Sequence, residues 1–446
     1  MAETAAAPPR GTAPVWPALL LPGLLAALWW YAPALGRLPE PVSNGTRFPA
    51  STLPLTTASP APGGGPPPWT TNVQFADRNG DGRLDLLTCD ARFGRVVSYD
   101  ARSDGSWKEV VLGSDLLAPA HATLVDLDRD GRLDVVVSVL GSIWPDDSRI
   151  GKVVWLRNTG DTYEPRTLLS DVRRVADVQA GDLDGDGDVD LAVAVFGYAR
   201  GEVLWLENDR QERFTPHTLF RAPGAVHVPL ADFDGDGDLD ITTVLSQDRE
   251  QVWGFENLGQ GSGGERFAPR LLFESLNFDL GSAGLVKVDL DRDGDLDLLL
   301  PVGDNLEDIH SYPQPYHGCY WLENRGGWNF AATRIATLGG TYAAAAGDLD
   351  GDLDLDVVLV SMFDDWDRPG HASLVWLEND GRQKFTPRQI ETEAIHLVTV
   401  DCADVNGDGR ADILAAPLHL MAPFQASPAA TLWLSPGAGP VRKEGP

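Results

Sequence analysis

Short apolar runs rich in β-branched residues recur along the chain, each entered through an aspartate-rich stretch, as in GDLDGDGDVDLAVAVFG (181 to 197) and ADFDGDGDLDITTVLS (231 to 246). Runs of this length predict strands buried on both faces. Further along each unit comes a second apolar signature: VVWLRN (153 to 158), VLWLEN (203 to 208), VWGFEN (252 to 257), CYWLEN (319 to 324), LVWLEN (374 to 379) and TLWLSP (431 to 436). A weaker strand then opens on an aromatic, at Tyr163, Phe214, Phe267, Phe330 and Phe385. With the strand that leads into each acidic stretch, every unit has four. Trp155, Trp205, Trp321, Trp376 and Trp433 in these signatures read as packing residues between units rather than as a ligand box.

The acidic stretch occurs seven times, opening at Asp77, Asp126, Asp182, Asp232, Asp289, Asp348 and Asp404, with spacings of 49, 56, 50, 57, 59 and 56 residues. That period suits one four-stranded propeller blade. The predicted fold is therefore all-β, a seven-bladed β-propeller, preceded by an N-terminal transmembrane or signal helix.

Positions 1, 3, 5 and 9 of each stretch carry carboxylates or an amide: Asp77, Asn79, Asp81 and Asp85; Asp126, Asp128, Asp130 and Asp134; Asp182, Asp184, Asp186 and Asp190; Asp232, Asp234, Asp236 and Asp240; Asp289, Asp291, Asp293 and Asp297; Asp348, Asp350, Asp352 and Asp356; Asp404, Asn406, Asp408 and Asp412. Alternate oxygens turn inward when such a loop coils, the glycine at position 6 allows the bend, and a carbonyl at 7 adds a ligand, a pattern for Ca2+. Up to seven structural calcium ions are expected. Magnesium wants a stricter octahedron and zinc wants His or Cys, which the loops lack. Plain Asp-Gly turns are the alternative, but at ~4 Å a like-charge pair costs on the order of 1 to 4 kcal/mol without a cation. Leu353 stands at one glycine position, Gly254 replaces a signature tryptophan, and the first unit has VVSYDA where the others have WLEN.

The seventh unit lacks a fourth strand. RFPASTLPL (47 to 55) is similar to RFTPHTLFR (213 to 221), so Phe48 to Leu53 is expected to complete the last blade, with TTASPAPGGGPPP (56 to 68) as a linker into the first. The propeller then spans 46–436, with 46–55 as closing strand and 437–446 as a tail. Upstream, residues 13–36 carry no charge over 24 residues and place Trp29, Trp30 and Tyr31 near one end. This is a membrane anchor or a signal segment, between a short cytoplasmic tail (1–12) and a linker (37–45). Either outcome puts the propeller outside the cytoplasm, membrane-anchored at a periplasmic or cell surface, or secreted after cleavage.

The formal charge of -31 repels nucleic-acid phosphates, and no basic stripe offsets it. Cys89, Cys319 and Cys402 are too scattered for a metal ribbon, and their odd number leaves no complete disulfide framework. No catalytic triad order, HExxH, P-loop or dinucleotide motif stands out.

The seven aspartate loops and the WLEN strands make residues 46 to 436 resemble the FG-GAP/VCBS repeat family, the propellers also found in integrin α-subunit heads and bacterial surface proteins. The resemblance implies calcium in the loops between first and second strands, on one face, and ligand recognition mostly on the other. Five residues before each loop stand Asn72, His121, Asp177, His227, Gly284, Ala343 and Thr399. His121, Asp177 and His227, in consecutive blades, would converge at the channel mouth as a site for a metal, sugar or polar ligand. The plainer alternative is that they satisfy strand-end hydrogen bonds. His310, His317 and His371, and the pair Asp365 and Asp367, lie on variable loops of the same face. The expected role is a binding module for a protein or glycan. The alternative is a carbohydrate-active or metal-assisted enzyme at the channel mouth.

Overall fold

The computed structural model describes residues 41, 48–52, 68–247, 249–259, 266–304, 312–366, 371–420 and 428–436. The uncharged segment 13–36 and the tail 437–446 lie outside the described residues. Among those described there is no α-helix, and so none long and apolar enough to cross a membrane.

The described residues form seven four-stranded antiparallel sheets, six of them meanders, arranged as the blades of a propeller. Blade 3 shows the plan: Val175–Gly181 pairs with Asp190–Val195, which pairs with Glu202–Asn208, which pairs with Phe214–Phe220. The second strands DLLTCD, DVVVSV, DLAVAV, DLLLPV, DVVLVS and DILAAP are buried at every residue, because each is flanked by strands within its sheet and covered on both faces by neighbouring blades. The outer strands alternate toward solvent, as in Tyr163–Val172.

Apolar contacts between blades set the core. Each of the seven blade-to-blade interfaces has its own cluster, such as Ala192, Trp205, Ile241 and Phe255 between blades 3 and 4, or Val136, Trp155, Val193 and Leu204 between blades 2 and 3. All five signature tryptophans are buried in such places. The three cysteines are free thiols.

Ala50–Thr52 closes the ring. It pairs antiparallel with Thr431–Trp433, in the register Ala50 to Trp433 and Thr52 to Thr431, and Leu434 N donates to Pro49 O at 2.9 Å. An open last blade would leave that row of backbone groups unpaired. Phe48 is buried and meets Trp376 of blade 6 edge-on at 6.0 Å, the contact Phe267 of blade 4 makes with Trp205 of blade 3 at 5.7 Å.

Blade 4 lacks its tryptophan, and blade 5 supplies one. A Cβ at Gly254 would collide with the ring of Trp328, whose Nε1 donates to Asp234 Oδ2 at 3.1 Å and which packs on Phe233. The indole fills from the neighbouring blade the space a cis tryptophan fills elsewhere. Trp328→Ala should cost about 2 kcal/mol, less than a fully buried ring because Trp328 is only half-buried. Gly254→Trp should recover melting temperature in the Trp328→Ala background and lower it alone; thermal melts of the four proteins check this, and simple additivity would refute it.

Candidate functional site

On one face, five loops bring three carboxylates within 4.8 Å of one another: Asp126, Asp128 and Asp134; Asp182, Asp184 and Asp190; Asp232, Asp234 and Asp240; Asp289, Asp291 and Asp293; Asp348, Asp350 and Asp356. These clusters could hold metal ions. The coil that gathers them is built from Asx turns. In the first loop Asp77 accepts from Asp81 N at 3.1 Å and Gly82 N at 2.8 Å, and Asn79 Oδ1 accepts from Asp81 N at 2.9 Å. The seventh repeats this with Asp404 and Asn406. Each such oxygen keeps a lone pair for a cation. Position 6 adopts positive φ throughout, from Gly82 at 83° to Gly294 at 100°, and Leu353 keeps it at 76° with its side chain exposed. A non-glycine residue there costs roughly 1–2 kcal/mol, yet Leu353 N still donates to Asp348 Oδ2 at 3.0 Å.

The ninth-position aspartates are buried, and they staple loop to strand. In each blade one carboxylate oxygen accepts from the backbone N of loop position 2 and the other from the residue after the WLE segment. For Asp240 these are Phe233 N at 2.9 Å and Asn257 N at 2.7 Å. For Asp356 they are Leu349 N at 3.0 Å and Asn379 N at 2.8 Å. The signature asparagine completes the join: Asn257 Nδ2 donates to Leu239 O at 3.0 Å and to Leu183 O of the preceding blade at 2.9 Å. Ser435 takes this role in blade 7, its N donating to Asp412 Oδ1 at 2.8 Å. Sequence reading took position 9 as a cation ligand and left the asparagine unexplained; its recurrence at the end of five of the six signatures was the available signal. Burial pushes the carboxyls of Asp240 and Asp356 up to about 7, and those of Asp190 and Asp297 up to about 6. So crowded a group of acids favours a cation.

The opposite face opens into a cavity of about 630 Å3 at the central channel, and Asn72, His121, Asp177, His227, Gly284, Ala343 and Thr399 all line it. Asp177 lies at the centre of the histidine group. Its Oδ1 accepts from Val178 N at 2.8 Å and lies 3.0 Å from His121 Nδ1; its Oδ2 accepts from Val228 N of the next blade at 3.0 Å and lies 3.6 Å from His227 Nδ1. Gln179 Nε2 adds a donor at 3.2 Å. Burial opposes its charge, but the two histidines hold the Asp177 carboxyl well below the usual range. Burial likewise opposes a charge on His121, and Asp177 outweighs it, raising the imidazole. Asp177 is 2% exposed, His121 20% and His227 35% at their side chains. The carboxylate is thus a buried anchor and the rings are what a ligand would meet. Asp401 makes the same inter-blade staple, accepting from Cys402 N at 2.9 Å and Phe75 N at 2.8 Å.

The other described loop histidines have partners within the fold. His317 is buried, its Nδ1 accepts from Gly340 N at 2.9 Å, and burial lowers it to about 4. His371 Nδ1 pairs at 2.6 Å with Asp364 rather than with Asp365; Asp367 and His310 lie outside the described residues. His396 and His419, buried, face each other Nδ1 to Nδ1 at 2.9 Å. Apolar exposure also divides by face. Leu117, Trp144, Tyr198, Leu276, Phe278 and Tyr312 are exposed on the mouth side and Val111 and Leu271 on outer strands, whereas among the described residues of the aspartate loops only Leu353 is such a residue.

Blade architecture and aspartate loops together define a repeat propeller with metal-binding-type loops. The chain belongs to the FG-GAP-like repeat family, matched at residues 77–137, 182–243, 232–300 and 359–415, together more than half its length. Compared with curated protein sequences, it has no match. Among solved structures it is similar to BBS1N, crystallised in complex with ARL6DN, at 10% identity and a TM-score of 0.52, over 88% of this chain and 99% of that one. It is also similar to a streptogramin B lyase at 14% identity and a TM-score of 0.51, over 86% and 97%. Both likenesses are of fold.

Proposed function

We propose that this protein is an extracytoplasmic binding module, a propeller whose aspartate loops are clasped by calcium and whose channel mouth receives a protein or glycan. The observation that carries the reading is the separation of the two faces: acidic clusters that fit a hard cation on one, a cavity with two oriented histidines and exposed aromatic residues on the other. Oxygen-only ligands in coiled loops suit Ca2+. The BBS1N likeness supports protein capture in general, since that propeller was crystallised with a protein partner. The uncharged segment 13–36 would tether the ring to the membrane or direct its export, with the propeller periplasmic or on the cell surface. A second reading, a carbohydrate-active or metal-assisted enzyme, is favoured by one feature: His121 Nδ1 lies 3.0 Å from the buried Asp177 carboxylate in a cavity, an imidazole–carboxylate pairing usable in general acid–base chemistry. Turnover of any sugar would move the assignment to that reading.

Chelation should lower the melting temperature by many degrees, because a cation bound only to the folded state at 100 times its Kd adds about 2.7 kcal/mol per site. An unchanged melt after exhaustive chelation would remove calcium from the reading. For the mouth, His121→Ala and His227→Ala should abolish binding to an array of proteins and glycans with little change in melting temperature. Asp177→Ala should lower both, since it strands the buried Val228 N–H at a cost of about 1–3 kcal/mol. Protease added to cells whose outer envelope has been opened and whose inner membrane is intact should cut the propeller's linkers, and protection equal to that of a cytoplasmic marker would exclude export.

A further inference from the structure

Two fixed cations, Arg174 at the mouth and Lys287 deeper in the channel, line the same cavity as the two histidines in a chain whose formal charge is -31. Arg174 lies over the Phe196 ring at 4.5 Å and its Nη1 donates to Trp144 O at 3.2 Å, so guanidinium and rim are held as one unit. Lys287 Nζ is tied to Leu230 O at 2.5 Å. Three carboxylates face the same space. Asp177 and Asp401 are already engaged by backbone N–H groups, and Asp304 follows the second strand of blade 5, Asp297–Val302, at its mouth end. Formally the group is -1 with both imidazoles neutral and +1 with both charged. Asp177 Oδ1 lies 3.0 Å from His121 Nδ1 and its Oδ2 lies 3.6 Å from His227 Nδ1, so a charged ring is held beside the carboxylate and has N–H groups to donate.

The wall carries a second kind of group. Asn72 Oδ1 is buried with no hydrogen-bond partner among the described residues, an acceptor suited to a hydroxyl. Gln74 and Gln179 add amides, and Trp144 stands 53% exposed at the rim. An indole face, planar amides and a confined cavity of about 630 Å3 suit a sugar end group better than an extended peptide.

Resting on the reading of the mouth as the ligand site, we propose that it binds the end of an acidic glycan, a hexuronate whose carboxylate is taken by His121, His227 and Arg174, whose hydroxyls meet Asn72 and Gln179, and whose ring lies on Trp144. Binding strengthens as the pH falls.

Isothermal titration of the calcium-loaded full chain tests this with trisaccharides of galacturonate, mannuronate and glucuronate, with maltotriose and with triglutamate, at about pH 5.5 and about pH 7.5, either side of the ordinary imidazole range. The expected result is that at least one uronate binds about tenfold tighter at the lower pH and about tenfold tighter than maltotriose or triglutamate, the scale of one charge-assisted hydrogen bond. His121→Gln and His227→Gln should each weaken it about tenfold and flatten the pH dependence, while Trp144→Ala weakens it at both pH values and leaves the dependence intact. Maltotriose or triglutamate bound as well as the uronates, and still lost in the histidine variants, would overturn the acidic-glycan assignment and keep the mouth as the site. Failure of every uronate overturns the proposal. Array ligands indifferent to both histidine variants would overturn the mouth itself.

Discussion

The buried aspartate at the ninth position of each loop is the interaction on which the blades depend. It begins a strand that has no access to water, and each of its two oxygens accepts from a backbone N–H group, one in the loop behind it and one in the strand beside it. A charged acceptor bonded to two donors is worth roughly 1.5–3 kcal/mol per bond, whereas either donor left alone in that place would cost about 1–3 kcal/mol. The loop is therefore not free to drift away from the sheet. Its remaining carboxylates are gathered against a fixed point, and a cation in their midst would relieve the repulsion that burial makes worse.

The same economy of joins appears between blades. Inner strands of neighbouring blades share no ladder, so side chains bridge them: Asp177 to Val228, Asp401 to Phe75, and Thr123 Oγ1 to Val178 O at 2.6 Å. Where a blade departs from the repeat, a neighbour or a local substitute compensates. Trp328 covers Gly254, Ser435 stands for asparagine, and Asp100 of the irregular first blade pairs with Arg78 at 2.5 Å. In blade 2, Arg157 replaces the signature glutamate and pairs with Asp128 at 2.5 Å, so that loop already has one of its charges met by the protein. The seven loops are alike in backbone and unlike in electrostatics.

Much of the ring was legible in the sequence because repetition averages out local ambiguity: seven loops and six tryptophan signatures fix the count and order of strands. The convergence of Asn72, His121, Asp177 and His227 on one cavity followed from counting back from the loops, since equivalent positions on inner strands must meet at the axis. What could not be read is what depends on partners distant in sequence. Nothing local marks Trp328 as the missing indole of another blade, or Asn257 as a bridge to Leu183. Asp177 read as a ligand-facing acid because sequence reports residue type and not the direction of a carboxylate; its oxygens are turned to backbone and imidazole.

That orientation gives Asp177 two duties that cannot be varied separately. By bonding Val228 it fixes the spacing of blades 3 and 4, and by facing both Nδ1 atoms it fixes how His121 and His227 address the channel. A change in the blade angle is then a change in the separation of the two rings. Adjacent blades are also joined at the other face, where Asn257 reaches Leu183, so blades 3 and 4 are held together at both ends of their strands. In a closed ring of packed sheets, stability at the acidic face and geometry at the histidine face are set by the same blade contacts.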